Sequence, residues 1–253
     1  MSAVSPASAA RTLRALIAAV LAAGALAPVT SASEESAAAT IAARPAPGQV
    51  WVAKVIYPTL AHSEPSGTSP GVLALSTQTQ WGTPVELLVI EQAHDRAGNL
   101  WLRVRVDYRP NGLTAWIYAG NTVLSPDPWM IGVSLEKRLL RVFEDGHLRW
   151  TFGVVVGKPS TPTPTGLFAI AAELRQPDSE EFEGSWVMPL TAHSEVLQSF
   201  EGGDGQVALH GRGGASLADP LGTARSHGCV RMLNRDIGWL ARHVPAGTPV
   251  RIN

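Results

Sequence analysis

Glycine or proline falls about once in every six positions of this chain, 24 glycines and 19 prolines among 253 residues. Proline removes a backbone donor and glycine weakens any regular run, so long helices are excluded and short strands joined by turns are favoured. Val50–Ile56, Val72–Leu75, Val85–Ile90 and Leu100–Val106 read as strands, with turn clusters at Pro65-Ser66-Gly67, Ala97-Gly98-Asn99 and Arg109-Pro110-Asn111-Gly112. Within Leu100–Val106, Leu102, Val104 and Val106 share one face while Arg103 and Arg105 face the other way, the pattern of a half-buried antiparallel strand. So many short strands between 49 and 126 suggest a small β-barrel.

Ser125-Pro126-Asp127-Pro128 marks a boundary, and a second mostly β domain is expected over 129–253. Ile131–Leu135, Leu139–Phe143 and His147–Val156 read as strands, the last two joined by a Glu144-Asp145-Gly146 hairpin turn. Three prolines keep Gly157–Gly166 out of any strand interior. One helix is predicted, capped by Asn234 and burying Ile237, Leu240, Ala241 and Val244 before Pro245 ends it. Pro249–Ile252 can add a last edge strand.

Ahead of these domains, Arg11 and Arg14 precede an uncharged apolar run from Ala15 to Ala27, and Thr30-Ser31-Ala32 supplies small residues for a peptidase. This is the layout of a secretory signal over 1–32, and the run is too short for a membrane-spanning helix. With no cysteine at the cut site there is no lipid anchor, so the mature protein is expected in the cell envelope or outside the cell without a stable membrane anchor. Residues 33–48, rich in Ala, Ser and Pro, read as a flexible linker. Basic and acidic residues balance at 20 and 21, which disfavours nucleic acid as a partner.

The chemistry concentrates between Val207 and Met232. A strand ending in His210-Gly211 is followed by Ser226-His227-Gly228-Cys229-Val230-Arg231-Met232, which holds the chain's single cysteine. A lone exported thiol is a liability unless it is buried or used. A nearby imidazole or guanidinium would favour its nucleophilic thiolate, and Gly228 would let the backbone turn sharply with its N–H facing a developing oxyanion. The pattern favours Cys229 as nucleophile. An inert buried cysteine, or a zinc site on His210, His227 and Cys229, are the competing readings. His62, His94, His147, His193 and His243 have no such context and read as surface or structural residues.

Ser226–Met232 with His210-Gly211 upstream resembles the signature of the L,D-transpeptidase catalytic domain, a peptidoglycan cross-linking family. Similarity extends to Ile131–Leu135, Leu140–Phe143, Val154–Pro159, Thr161–Phe168 and Gly247–Val250. The resemblance implies a β-sandwich with one or two short helices. It makes Cys229 the nucleophile, His210 the proton acceptor and donor, and the Gly211 carbonyl the group orienting His210. It places Ser226, His227 and Gly228 around the oxyanion and substrate, Arg231 towards substrate, and Trp186 as an aromatic over the cleft. Arg212–Arg225 forms the lid between base and nucleophile. The implied reaction cleaves the L,D-bond before the terminal D-Ala of a tetrapeptide stem through a thioester and forms a 3→3 cross-link to an amine of a second stem. It requires no cofactor and no metal, and carbapenem-type β-lactams would be covalent inhibitors. Trp101–Val104, Pro110–Gly112 and Ala115–Ile117 resemble bacterial SH3-like domains of secreted wall enzymes. Other readings are an L,D-carboxypeptidase with water as acceptor, a sortase-like protein transpeptidase, or a non-catalytic wall-binding module.

Overall fold

The computed structural model describes residues 50–199 and 203–253; the expected signal (1–32) and linker (33–48) lie outside the described residues. Seven strands come first: β1 (Val50–Val55), β2 (Thr59–His62), β3 (Gly71–Leu75), β4 (Glu86–His94), β5 (Leu100–Arg105), β6 (Thr114–Tyr118) and β7 (Thr122–Asp127). They form one sheet in the order β3-β2-β6-β5-β4-β1-β7. The long β4 pairs with β1 through Glu86–Leu88 and with β5 from Val89 onward. The end strands β3 and β7 are not paired with each other among the described residues.

Ala53, Val55, Leu102, Val104, Ala115 and Ile117 build this sheet's core. The expected face of β5 is buried, but Arg105 on the opposite face is also buried, its guanidinium donating to the carbonyls of Gly112 and Leu113. The Arg109–Gly112 turn folds back over that face, which strand alternation alone does not report.

Only Pro128 separates β7 from β8 (Trp129–Ser134). There follow β9 (Leu139–Glu144), β10 (His147–Gly153), β11 (Val156–Gly157), β12 (Gly166–Ala169), β13 (Leu174–Arg175), β14 (Trp186–His193), β15 (Gln206–His210), β16 (Ala224–Ser226), β17 (Val230–Arg231), helix α1 (Asn234–His243) and β18 (Pro249–Ile252). A five-stranded sheet, β10-β9-β8-β18-β12, and a four-stranded sheet, β13-β14-β15-β17, share one core with α1. Ile131, Val142, Phe168, Met188, Leu209, Ile237, Leu240 and Val250 meet there. The described residues are therefore mostly β, with a sandwich and one α-helix among those of the C-terminal half.

The β9–β10 hairpin turns at Asp145-Gly146, both at positive φ as a tight two-residue turn requires. β18 is not an edge strand. It lies between β8, which it pairs in parallel, and β12, and Val250 and Ile252 are buried. Proline at its first position gives up only one donor, so the rest of the ladder is intact. Asn234 is the first residue of α1 rather than its cap; Leu233 precedes it without a side-chain cap bond.

Polar clamps join the two halves. The Asn111 side chain bonds both the N–H and the carbonyl of His193, at 2.8 and 2.7 Å, and Arg109 donates to the carbonyls of Ser194 and Asp204 at 2.8 and 2.7 Å. Buried Asp127 accepts from Thr248 Oγ1 at 2.6 Å. His193 is buried here, with Nε2 3.0 Å from Asp204 Oδ2.

Candidate active site

Parallel pairing of β15 with β17 sets Leu209 level with Val230 and His210 level with Arg231. Paired residues project to the same side of a sheet, so His210 and Arg231 share a face. Cys229 stands immediately before Val230, the first residue of β17. Cys229 is half-buried, whereas His210 is only 2% exposed. Burial first, and the neighbouring Arg231 charge second, push the His210 imidazole down to about 4, so the ring is neutral at neutral pH. The backbone of Glu183 and of Gly211 pulls the other way and favours the charged ring, although Nδ1 makes no hydrogen bond of good geometry. A neutral imidazole beside a thiol can accept its proton.

The turn that presents Cys229 is built from its own residues and from the proline-rich loop. Ser226, fully buried, donates from Oγ to the Cys229 carbonyl at 2.6 Å and accepts the Gly228 N–H at 3.1 Å. Gly228 has φ +128°, a conformation that favours glycine. Its N–H is thus committed to Ser226 and does not face a developing oxyanion, contrary to the sequence expectation. Thr163 Oγ1 donates to the Gly228 carbonyl at 2.7 Å and accepts from Gly157 N at 2.9 Å, and Thr161 Oγ1 donates to the Ser226 carbonyl at 3.3 Å. The sequence marked this loop as irregular but gave no sign that its threonines underpin the nucleophile turn.

Replacing Thr163 by valine keeps the shape and orphans the half-buried N–H of Gly157 and the buried carbonyl of Gly228, the latter costing about 1–3 kcal/mol. We expect Thr163→Val to lower Tm by roughly 5–10 °C and to slow Cys229 acylation, while Thr163→Ser retains both. Calorimetry on the three proteins checks this, and equal Tm values for valine and parent would refute it.

Two expected roles are corrected. Trp186 does not lie over the cleft. Val187 is the residue level with His210, so Trp186 points to the opposite face, packs on the main core and approaches Gly238 of α1. The aromatic beside His210 is Phe182, with ring centroids 6.3 Å apart. Arg231 is 3% exposed and does not reach towards substrate. Its Nη1 bonds Asp219 Oδ2 at 2.7 Å and its guanidinium carbon lies 4.6 Å over Phe182. The lid is held from inside, because Arg212 donates to the carbonyls of Ser216, Leu217 and Asp219.

Asn234 joins these parts. Its Oδ1 accepts from Arg212 N at 3.0 Å and Ser185 N at 3.2 Å, tying the strand end after His210 to the segment carrying Phe182. A side chain at Gly211 would collide with that same oxygen, which explains the glycine after His210. Beside the turn, His227 is exposed and its Nε2 lies 3.2 Å from Lys158 Nζ. Among the described residues no three His, Cys, Asp or Glu side chains converge as metal ligands, so the zinc alternative finds no such grouping. A cavity of about 530 Å³ lies between the two halves, lined by Trp81, Asp107, Tyr108, Thr191 and Gln206 among others, and includes neither Cys229 nor His210.

A family model described as YkuD, the L,D-transpeptidase catalytic domain, matches residues 128–252. A Bacillus licheniformis protein named as an L,D-transpeptidase, YkuD, is 34% identical over 143 residues, covering 54% of this chain and 76% of its own length. A Bacillus subtilis protein of the same name is 31% identical over 148 residues, covering 56% and 80%. Among solved structures, the LD transpeptidase LdtMt1 in complex with imipenem superposes at a TM-score of 0.39 with 20% identity, over 61% of this chain and 68% of that one. The span of the family model includes His210 and the Cys229 turn, and with the 34% identical relative it shows that the chain belongs to the L,D-transpeptidase family.

Proposed function

We propose that Cys229 cleaves the L,D-bond before the terminal D-Ala of a peptidoglycan tetrapeptide stem and passes the acyl group to an amine of a second stem, giving a 3→3 cross-link. The observation that carries this reading is a half-buried thiol at the head of β17, the strand that pairs in parallel with β15 and so with its last residue, a buried, neutral His210. His210 takes the thiol proton as sulfur bonds to the carbonyl carbon. The C–N bond then breaks, and the same proton goes to the departing D-Ala nitrogen. In the second half the acceptor amine attacks the thioester, gives up a proton to His210, and sulfur leaves. The backbone of Gly211, with that of Glu183, favours the protonated ring and would orient the imidazole in the place where a serine protease uses a carboxylate.

A carbapenem presents a strained acyl group to the same sulfur, and the imipenem complex of the related LdtMt1 supports β-lactams of this type as covalent inhibitors. The Arg11–Ala32 segment supports export to the cell envelope, where the substrate is found. Strands β1–β7 would be an SH3-like region that holds the catalytic domain at the wall.

Incubating the mature protein with disaccharide-tetrapeptides and separating the products by mass tests the reading. Dimers joined without the donor's D-Ala, together with free D-Ala, are expected. Tripeptide monomers alone would make water the acceptor and the enzyme an L,D-carboxypeptidase. Unchanged tetrapeptides would overturn the proposal.

A further inference from the structure

The scissile bond of such a donor stands next to a negative charge. The terminal residue carries a free carboxylate, and three bonds separate its carbon from the attacked carbonyl carbon, about 4 Å at full extension. A group that recognises it must therefore lie beside the nucleophile turn. Arginines near the site do not qualify. Arg231 is buried and paired with Asp219, and Arg212 is buried with its donors on the carbonyls of Ser216, Leu217 and Asp219. Arg225 precedes buried Ser226 on β16 and, by strand alternation, points to the opposite side.

Lys158 remains. It is half-buried and makes no ion pair among the described residues, and its Nζ lies 3.2 Å from His227 Nε2. An ammonium only donates, so Nε2 is the acceptor in this contact. The lysine backbone is fixed on the turn: Lys158 N donates to the Ser226 carbonyl at 3.0 Å, and the Lys158 carbonyl accepts from Thr161 N at 2.9 Å. Gly157 before it admits no side chain, because a Cβ would fall 2.4 Å from Thr163 N and 2.5 Å from the Thr161 carbonyl. The ammonium is thus held beside the residues immediately before Cys229 by a backbone that has little room to shift.

We propose that Lys158, with its ammonium set by His227, forms the subsite for the terminal carboxylate of the acyl donor. This rests on the acyl-transfer reading above and adds the group that restricts the donor to a free C-terminus. Lys158 is a specificity residue and takes no part in the proton transfers. Arg231 balances the lid and tunes His210, so the two cations have separate tasks.

Two donor peptides, identical except for a terminal carboxylate or carboxamide, distinguish the outcomes. Initial rates of release of the terminal residue give kcat/KM for each with the parent, Lys158→Met and Lys158→Arg. The parent should prefer the carboxylate donor by roughly ten- to a hundredfold, as a charge-assisted contact implies. In Lys158→Met that ratio should fall to near one, mainly through KM, and Lys158→Arg should recover part of it. A parent that acylates but shows no preference, or a Lys158→Met protein that keeps the full ratio, would overturn the subsite and leave acyl transfer standing. A parent that releases nothing from either donor would overturn both.

Discussion

Incubation with a carbapenem should add one drug mass to the intact protein, the adduct should vanish in Cys229→Ala, and His210→Gln should form it about 10²- to 10⁴-fold more slowly. The thiolate is the attacking species, so removal of the thiol proton must accompany attack. His210 is placed for that task by the ladder that sets it level with Arg231. Glutamine preserves much of the volume in a site that is only 2% exposed but cannot accept and return the proton. An adduct that persists in Cys229→Ala, or equal rates for His210→Gln and parent, would remove these residues from the mechanism.

The pH dependence has a defined sign. Burial and Arg231 hold the His210 imidazole at about 4, so the acid limb of acylation should lie near that value rather than near the 6.5 of an exposed histidine. Stability follows the same shift. Between about 6.5 and 4 the unfolded chain binds a proton at this ring that the folded protein does not, so stability at this site is lost as pH falls through that window. His210→Gln should flatten that part of the stability profile relative to the parent.

The sequence revealed those parts of the fold whose causes are local. The Asp145-Gly146 turn and the apolar stripe of α1 are set by neighbouring residues, and the structure contains both. His210 and Cys229 stood out as candidates because few residue types can serve as base and nucleophile, and each stands beside a glycine. What escaped depended on distant pairing. Nothing in Pro249–Ile252 announces parallel pairing to β8, more than a hundred positions away, which turns an apparent edge into an interior strand. Trp186 is turned away from His210 by a parity that is fixed only once β14 finds its register on β15, and Phe182 reaches the ring from the turn before β14. Asn234 looks like a helix cap because Asn, helix and proline lie in order, yet its oxygen meets the N–H groups of Ser185 and Arg212. Thr161 and Thr163 gave no local signal, since a hydroxyl in a proline-rich loop becomes a buttress only when a second segment lies against it.

The Arg231–Asp219 pair should control both lid stability and the base, and opposite substitutions should move the pH profile in opposite directions. Arg231 is 3% exposed, its Nε is buried without a partner, and its charge is balanced by Asp219, whose side chain is 23% exposed. Asp219→Asn leaves the guanidinium buried and unbalanced, a loss of about 3 kcal/mol, at the low end for a broken buried pair because Asp219 is reached by water. The unopposed charge would push the His210 imidazole lower still and move the acid limb to lower pH. Arg231→Met removes the charge and keeps an apolar side chain against Phe182. It takes away the second cause of the His210 depression, so the imidazole should rise and the acid limb should move to higher pH. Combining the two substitutions should destabilise less than the sum of the single changes, since the partners contact each other directly. Carbapenem acylation rates across pH for the three variants, with melting curves on the same samples, provide the measurement. A lid that was only structural would lose stability without separating the two profiles, and shifts of the same sign in both single variants would disprove the coupling of Arg231 to His210.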